Sequence, residues 1–470
     1  QDPVVHRDAV FLSFFTGHLV PLPGVDAGLF VLDRERRAEL DLEPFEPLRD
    51  PPRGSYAPAL FGSDLPFDLE ARILAPARLD VVCGGELVER SERGERALWV
   101  YRTREPVASF AILAAAYATR VVGEDEIHHH AAHDYNLDTI QAALADAREV
   151  FGRSFGPYPH GLLRIVEFPR LADFAQSYPT LMPYSEAIGF LTNHADDPRH
   201  VDATYFVTAH EVAHQWWGYL ASPAARPGAQ VLVESLAEYS ALLLIDETRG
   251  ERERLVFLRQ EEDGYLRRRD ADSELPLARL QLEGQELWYN KGALVLYMLE
   301  RRVGRPALCR ALAQLVAQSR QGVGVDGRRR GGHPGLDDLR ALVRAQRPDL
   351  DLDGFFADWF DAVVLPDPTL EAGASLRDEG GSWSVAFTAT NRGDGEARVR
   401  VEPVRGAWRA ERRVTEQADY EIGAPLELVL EPGRSVSGMV TSRFRPEALV
   451  IDRLHETIDF DRANNVLALE

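Results

Sequence analysis

The sequence predicts a multidomain α+β protein in which a mainly helical domain lies between β-rich ends. Three observations carry this. The chain has 470 residues, too many for one core, and should divide into roughly three domains. Both ends alternate apolar and polar residues with period two. Between them, apolar residues recur at helical spacing.

The first domain, residues 1–120, reads as β. Phe67, Leu69, Ala71 and Ile73 alternate with Asp68, Glu70 and Arg72, and Ala97-Leu98-Trp99-Val100-Tyr101 follows a turn at Glu92-Arg93-Gly94. Pro47 to Pro58 is a proline-rich connector, and the apolar run Phe110 to Ala118 is a buried strand or short core segment. The second domain, residues 121–365, opens with a helical pattern at Leu137 to Phe151 and a strand at Leu162 to Phe168, after which helices dominate to about Val363.

Leu365-Pro366-Asp367-Pro368 marks the clearest boundary. Beyond it, Trp383 to Ala389 and Ala397 to Val401 alternate around Asn391-Arg392-Gly393-Asp394-Gly395, a hairpin signal. Leu426 to Leu430 and Ala448 to Ile451 continue the pattern, so residues 366–470 are expected to form a β-sandwich. There is no internal repeat, and Gly327 to Gly332 reads as a loop.

Composition excludes several classes of partner. The formal net charge of -22 argues against nucleic acid and anionic membrane surfaces. No stretch approaches the ~20 apolar residues of a membrane span, and the N-terminus lacks a signal-peptide pattern. Two cysteines, Cys83 and Cys309, fall in different expected domains and predict no disulfide framework.

The chemistry concentrates in His210-Glu211-Val212-Ala213-His214, followed by Gln215-Trp216-Trp217-Gly218. Histidines four apart lie on one helix face, one turn above the other, so both imidazoles can reach a single ion. Glu211 projects beside that ion without ligating it, where a carboxylate can take a proton from water. This is the arrangement of a zinc hydrolase. A third ligand is needed. Ser222-Pro223-Ala224-Ala225-Arg226-Pro227-Gly228 must turn, and the next helical pattern carries Glu234 in its first turn. A returning helix would bring Glu234 towards the histidine pair. Glu238, one turn later, is a candidate acceptor for a ligand histidine or an exposed helix residue.

His210 to Gly218 with Glu234 resembles the aminopeptidase N and leukotriene hydrolase family of gluzincin metallopeptidases. Nineteen residues separate His214 from Glu234, one more than in that family's pattern. Tyr289-Asn290-Lys291-Gly292 matches the family's Y-x-K-G, whose tyrosine hydrogen-bonds the oxyanion. The family's G-x-M-E-N strand survives as Tyr184-Ser185-Glu186-Ala187-Ile188-Gly189. Phe174-Ala175-Gln176-Ser177, Pro183-Tyr184-Ser185-Glu186 and Glu234-Ser235-Leu236-Ala237 are similar to a bacterial branch often fused behind an ABC-type permease. The resemblance is specific from about Glu126 to Gly304.

The resemblance implies a thermolysin-like catalytic domain and one Zn2+ per chain. It implies zinc ligands His210, His214 and Glu234, with Glu211 as general base and Tyr289 as oxyanion donor. Glu186 would grip the amino terminus of a peptide, and the strand that holds Tyr184 would take the peptide backbone as an added strand. A membrane permease is the implied fusion or association partner. The N-terminal β-domain is expected to be incomplete, with its first strands upstream of Gln1. Removal of N-terminal residues from peptides is the expected activity. A zinc endopeptidase with an open cleft and a non-catalytic transporter-associated module are the alternatives. Intact Glu211 and Tyr289 speak against the second, since a scaffold has no need of a general base.

Three further features stand out. His128-His129-His130 with His133 suggests a second metal site, but consecutive strand residues face alternate sides, which favours a structural role. Trp216 and Trp217 are expected to pack in the core behind the zinc helix. Of 53 basic residues Lys291 is the sole lysine, and it falls inside Tyr-Asn-Lys-Gly. A compact ammonium there, where arginine serves everywhere else, points to a site too tight for a guanidinium.

Overall fold

The computed structural model describes residues 4–13, 34–43, 57–64, 66–170, 173–193, 201–271, 273–280, 287–321, 332–371, 373, 375–378, 380–406 and 420–469. The connector expected at Pro47 to Pro58 and the loop at Gly327 to Gly332 lie almost wholly outside them. The chain forms two compact units. One comprises Gln1–Asn193, Asp202–Val233 and Ala313–Gly335, the other His194–Val201, Glu234–Leu312 and Leu336–Glu470. Among the described residues no helix is long and apolar enough to cross a membrane.

In the first unit the alternation near the N-terminus becomes a three-stranded antiparallel sheet of Glu70–Pro76, Arg96–Arg102 and Glu86–Arg93. Gly94 turns the last two with φ 65°, a conformation open to glycine. The apolar run after Phe110 supplies the strand Ala111–Ala115, which pairs with Ala9–Ser13 and Asp80–Cys83. Val81, Cys83, Trp99, Tyr101 and Leu113 share one core with Val166 and Leu181 of the next sheet.

That next sheet positions the chemistry. Helix α1, Leu137–Phe155, buries Ile140, Ala143, Leu144, Ala147 and Phe151, a stripe at i, i+3, i+4, i+7 and i+11, and ends before Gly156 at φ 107°. Strand β1, Arg164–Phe168, is buried at every residue and runs parallel to both Asp125–His130 and β2, Leu181–Ser185. A parallel central strand covered on both faces has no polar side to show. Helix α2, Ala203–Ala213, is started by the Asp202 carboxylate, which accepts from Tyr205 N at 3.0 Å. Its residues are buried almost all round, as befits a helix enclosed by protein.

In the second unit, α3 (Glu234–Arg249), α4 (Glu251–Arg268) and α5 (Gly292–Val303) pack together. Toward the C-terminus two sheets share one core. Val385, Phe387, Ala389 and Val440 come from one, and Val399, Val401, Leu430, Leu449 and Ile451 from the other. The hairpin expected around Asn391 to Gly395 is not formed. Trp383–Asn391 pairs with Ser435–Ser442, whereas Ala397–Arg405 pairs with Leu426–Leu430 and Ala448–Ile451. The connection instead crosses between sheets. Asn391 ties it down by donating to Gly395 O (2.8 Å) and Leu430 O (3.1 Å). Asp394 accepts from Leu365 N at 2.7 Å.

Candidate functional site

Helix α2 carries His210, Glu211 and His214 to its C-terminal end, and all three are buried. Their ligand atoms lie within 4.8 Å of one another. The imidazoles stand edge to face, with His210 Nε2 and His214 Nε2 at 2.9 Å. Helix α2 ends at Ala213 with His214 as its cap, whose N–H still donates to His210 O, and the chain turns through Gly218 at φ 104°. The turn sends the Trp217 carbonyl back to His214 Nδ1 at 3.2 Å. A carbonyl only accepts, so Nδ1 holds the hydrogen and Nε2 of neutral His214 turns a lone pair towards His210. A shared hydrogen or a cation satisfies such a contact. A borderline metal such as zinc suits two imidazole nitrogens beside a carboxylate, with one imidazole oriented from behind by a carbonyl.

The helix end is anchored by residues that the sequence reading passed over. Gln215, 1% exposed, accepts from Thr180 N (3.1 Å) and Tyr158 OH (2.9 Å). It donates to Ser177 Oγ (2.9 Å) and Tyr178 O (3.0 Å), so its amide is fully used. Ser177 Oγ in turn donates to Glu211 O at 2.6 Å. The position of Gln215, next to the second histidine, was the only hint of this role. Behind the helix, Trp216 packs edge-on to Phe151 and Trp217 to Phe155, both tryptophans fully buried, as expected of core residues.

Residues 174–178 fold back along the outer edge of β2. Gln176 N donates to Pro183 O, Tyr178 N to Leu181 O, Leu181 N to Tyr178 O and Ser185 N to Phe174 O. The edge of β2 expected to receive a peptide is thus occupied by the chain's own backbone. The remaining edge is the outward side of 174–178, whose Ser177 touches Glu211. Tyr184 is buried, and its hydroxyl lies 3.5 Å from both Thr204 O and Thr208 Oγ1 of α2. Burial pushes that hydroxyl well above its ordinary pKa, with Glu211 adding to the shift. Glu186 follows β2. Its Oε1 accepts from Arg170 N at 2.9 Å, and its Oε2 lies 3.8 Å from His133 Nδ1.

The second unit holds Glu234, Glu238, Tyr289 and Lys291. Glu234 opens α3, and Glu238 is buried one turn later. Tyr289 sits in the π-turn Leu287–Lys291 that leads into α5. Such single π-turns concentrate at functional sites. Three side chains hold this one. Ser235 Oγ donates to Trp288 O at 2.6 Å, Asn290 Nδ2 to Glu261 Oε2 at 2.5 Å, and Lys291 Nζ pairs with Glu274 Oε1 at 2.5 Å. Lys291 and Glu274 side chains are 0% and 1% exposed. Glu274 also accepts from Arg269 Nε and Tyr265 OH, each at 2.8 Å. Burial pulls the Lys291 ammonium down against the pull of Glu274. Burial would raise the Glu274 carboxyl, but Lys291 and Arg269 hold it below its usual value.

Comparison with known proteins gives three findings. Residues 135–324 match the model described as Peptidase family M1 domain. No curated protein sequence matches the chain. Among solved structures, Legionella pneumophila aminopeptidase A in complex with aspartic acid superposes with a TM-score of 0.60 at 16% identity, covering 84% of this chain. The chain spans 45% of the length of that aminopeptidase. An M1 zinc metallopeptidase from Deinococcus radiodurans gives a TM-score of 0.44 at 21% identity, with 60% of each chain covered.

Proposed function

We propose, from the premise that residues 135–324 of this chain belong to peptidase family M1, that it hydrolyses peptide bonds with a zinc-activated water and removes residues from the amino terminus. The observation that carries the proposal is the convergence of His210 Nε2 and His214 Nε2 at 2.9 Å beside the buried Glu211. His210, His214 and Glu234 would hold one zinc, in a catalytic domain taken as residues 121–365. Bound zinc supplies a Lewis acid that makes a water nucleophilic near neutral pH. Glu211 takes the proton from that water and hands it to the departing amine nitrogen. Tyr289 donates from its hydroxyl to the carbonyl oxygen as negative charge develops there, an effect typically of a few kcal/mol.

Glu186 pairs with the ammonium of the peptide, and Tyr184, through Thr204 and Thr208, holds α2 in place. Lys291 secures the π-turn that presents Tyr289, and Glu238 stands one turn behind Glu234 as a supporting acceptor. The peptide backbone lies along residues 174–178, next to Glu211. The similarity of Phe174–Ser177 and Pro183–Glu186 to the permease-fused branch makes a membrane permease the proposed partner.

One observation favours an endopeptidase instead. Both oxygens of Glu186 already face groups of the chain, Arg170 N and His133. The deciding experiment pairs zinc analysis with hydrolysis of free-amine and N-acetylated peptides. Zinc-dependent cleavage confined to the free-amine series supports the aminopeptidase. Equal cleavage of both leaves only the peptidase, and neither zinc nor cleavage overturns the proposal.

A further inference from the structure

Three strands of the first unit run parallel, Asp125–His130, β1 and β2, so their C-terminal ends share one edge of the sheet. Ligands of parallel sheets gather at that edge. Glu167 is the penultimate residue of β1, Glu186 follows β2 directly, and His133 lies three residues beyond the first strand. The turn that returns His133 is closed by its own N–H, which donates to His130 O at 2.8 Å. The ligand atoms of His133, Glu167 and Glu186 all lie within 4.8 Å of one another.

Each carboxylate is pinned by one backbone amide and turns its other oxygen to the same point. His130 N donates to Glu167 Oε2 at 2.6 Å, leaving Oε1 on His133 Nδ1. Arg170 N donates to Glu186 Oε1, leaving Oε2 at 3.8 Å from the same nitrogen. Glu167 is 4% exposed. Among the described residues no Arg or Lys side chain pairs with Glu167 or Glu186, and Arg170 turns to Asp173 instead. Among the described residues, these two carboxylates, one of them buried, therefore have one shared imidazole as their basic side-chain partner. A buried carboxylate needs a compensating charge. A proton on His133 neutralises one of the two, whereas a divalent cation neutralises both.

We propose that His133, Glu167 and Glu186 form a second metal site that takes a divalent transition-metal cation. One imidazole nitrogen with two carboxylate oxygens suits zinc or manganese better than the all-oxygen shells of calcium or magnesium. Binding displaces any proton on His133, so uptake is accompanied by proton release. The consequence, though not the binding, rests on the reading above. A cation on Glu186 occupies the carboxylate assigned to the peptide's ammonium, so the site is inhibitory.

Equilibrium dialysis against Zn2+ with metal analysis tests the site on the whole chain. Wild type should reach about two zinc per chain, and Glu167→Gln about one. His214→Ala should also reach about one, losing the other ion, and the double variant about none. Saturation of wild type at one zinc, or an unchanged count in Glu167→Gln, overturns the second site. If circular dichroism shows that Glu167→Gln does not fold, His133→Asn, at a more exposed position, takes its place with the same criterion. Failure of the peptidase reading appears separately, as an unchanged count in His214→Ala.

Discussion

A side-chain carbon on Gly292 would lie 1.9 Å from Ser235 Oγ and 2.6 Å from Ser235 Cβ. The residue after Glu234 and the glycine of Tyr-Asn-Lys-Gly are therefore packed backbone to side chain, and Ser235 Oγ also holds Trp288 O. This explains why the segment after Tyr289 needs glycine although its backbone is ordinary helix. Gly292→Ala should cost about 1–3 kcal/mol of stability, the range for overpacking, and displace both Glu234 and Tyr289. Ser235→Gly added to it removes both clashing atoms and should recover part of the loss. Denaturant unfolding and turnover, measured on the two variants, check this. A double variant no better than Gly292→Ala would show that the clash is not the cause.

His214→Ala and Glu211→Gln separate the proposed ligand from the proposed base. The first should lose the zinc of this site together with activity. Glu211→Gln keeps the size of the side chain and the buried environment while removing the proton acceptor. It should keep its zinc and lose turnover by several orders of magnitude. Near-normal turnover in this variant would remove Glu211 from the mechanism.

Tyr289→Phe deletes one hydroxyl and leaves the ring. If that hydroxyl serves the transition state, kcat should fall about 10²–10³-fold with KM little changed. A raised KM at constant kcat would instead make Tyr289 a binding residue.

Lys291→Arg should be harmful in a chain that uses arginine at every other basic position. The ammonium is fully buried against Glu274 and lies 5.3 Å from the Tyr265 ring, and a guanidinium is wider. Overpacking of about 1–3 kcal/mol, seen as a lower denaturation midpoint, should accompany loss of kcat through the Tyr289 turn. Wild-type stability and turnover would leave the lone lysine without a structural reason.

What could be read from the sequence followed from what is local. His210 and His214 are one helical turn apart, so their spacing alone places both rings on one face. The stripe of α1 and the alternation of Glu70–Pro76 are periodicities of the same kind. Topology was hidden. Asn391 to Gly395 has the composition of a hairpin turn, yet equally serves a crossing between sheets, and only pairing at a distance decides which. His133, Glu167 and Glu186 meet because three parallel strands end at one edge, a fact that no spacing along the chain encodes. The occupied edge of β2 was missed for the same reason, since residues 174–178 had no strand signal of their own. Lys291 stands out in the sequence by composition and by its place in Tyr-Asn-Lys-Gly, while its partner Glu274 lies 17 residues away and carries no signal of its own.

The choice between aminopeptidase and endopeptidase turns on Glu186. A free peptide amine is cationic at neutral pH, and if Glu186 receives it, this half-buried carboxylate would attract it and set which bond is cut. With little free zinc present, so that the second site stays empty, unblocked peptides should be cleaved at their first bond and N-acetylated ones spared. Glu186→Ala should weaken binding of free-amine peptides by about 1–3 kcal/mol, the range of a charge-assisted hydrogen bond, while the zinc of His210 and His214 is retained. Because Glu186 also faces His133, His133→Asn offers a control. It removes the competing imidazole and should leave free-amine binding equal to or tighter than that of wild type. Steady-state KM and inhibition by a non-hydrolysed free-amine peptide measure both effects. Loss of binding in His133→Asn as large as in Glu186→Ala would mean that Glu186 serves the fold of the strand ends rather than the substrate.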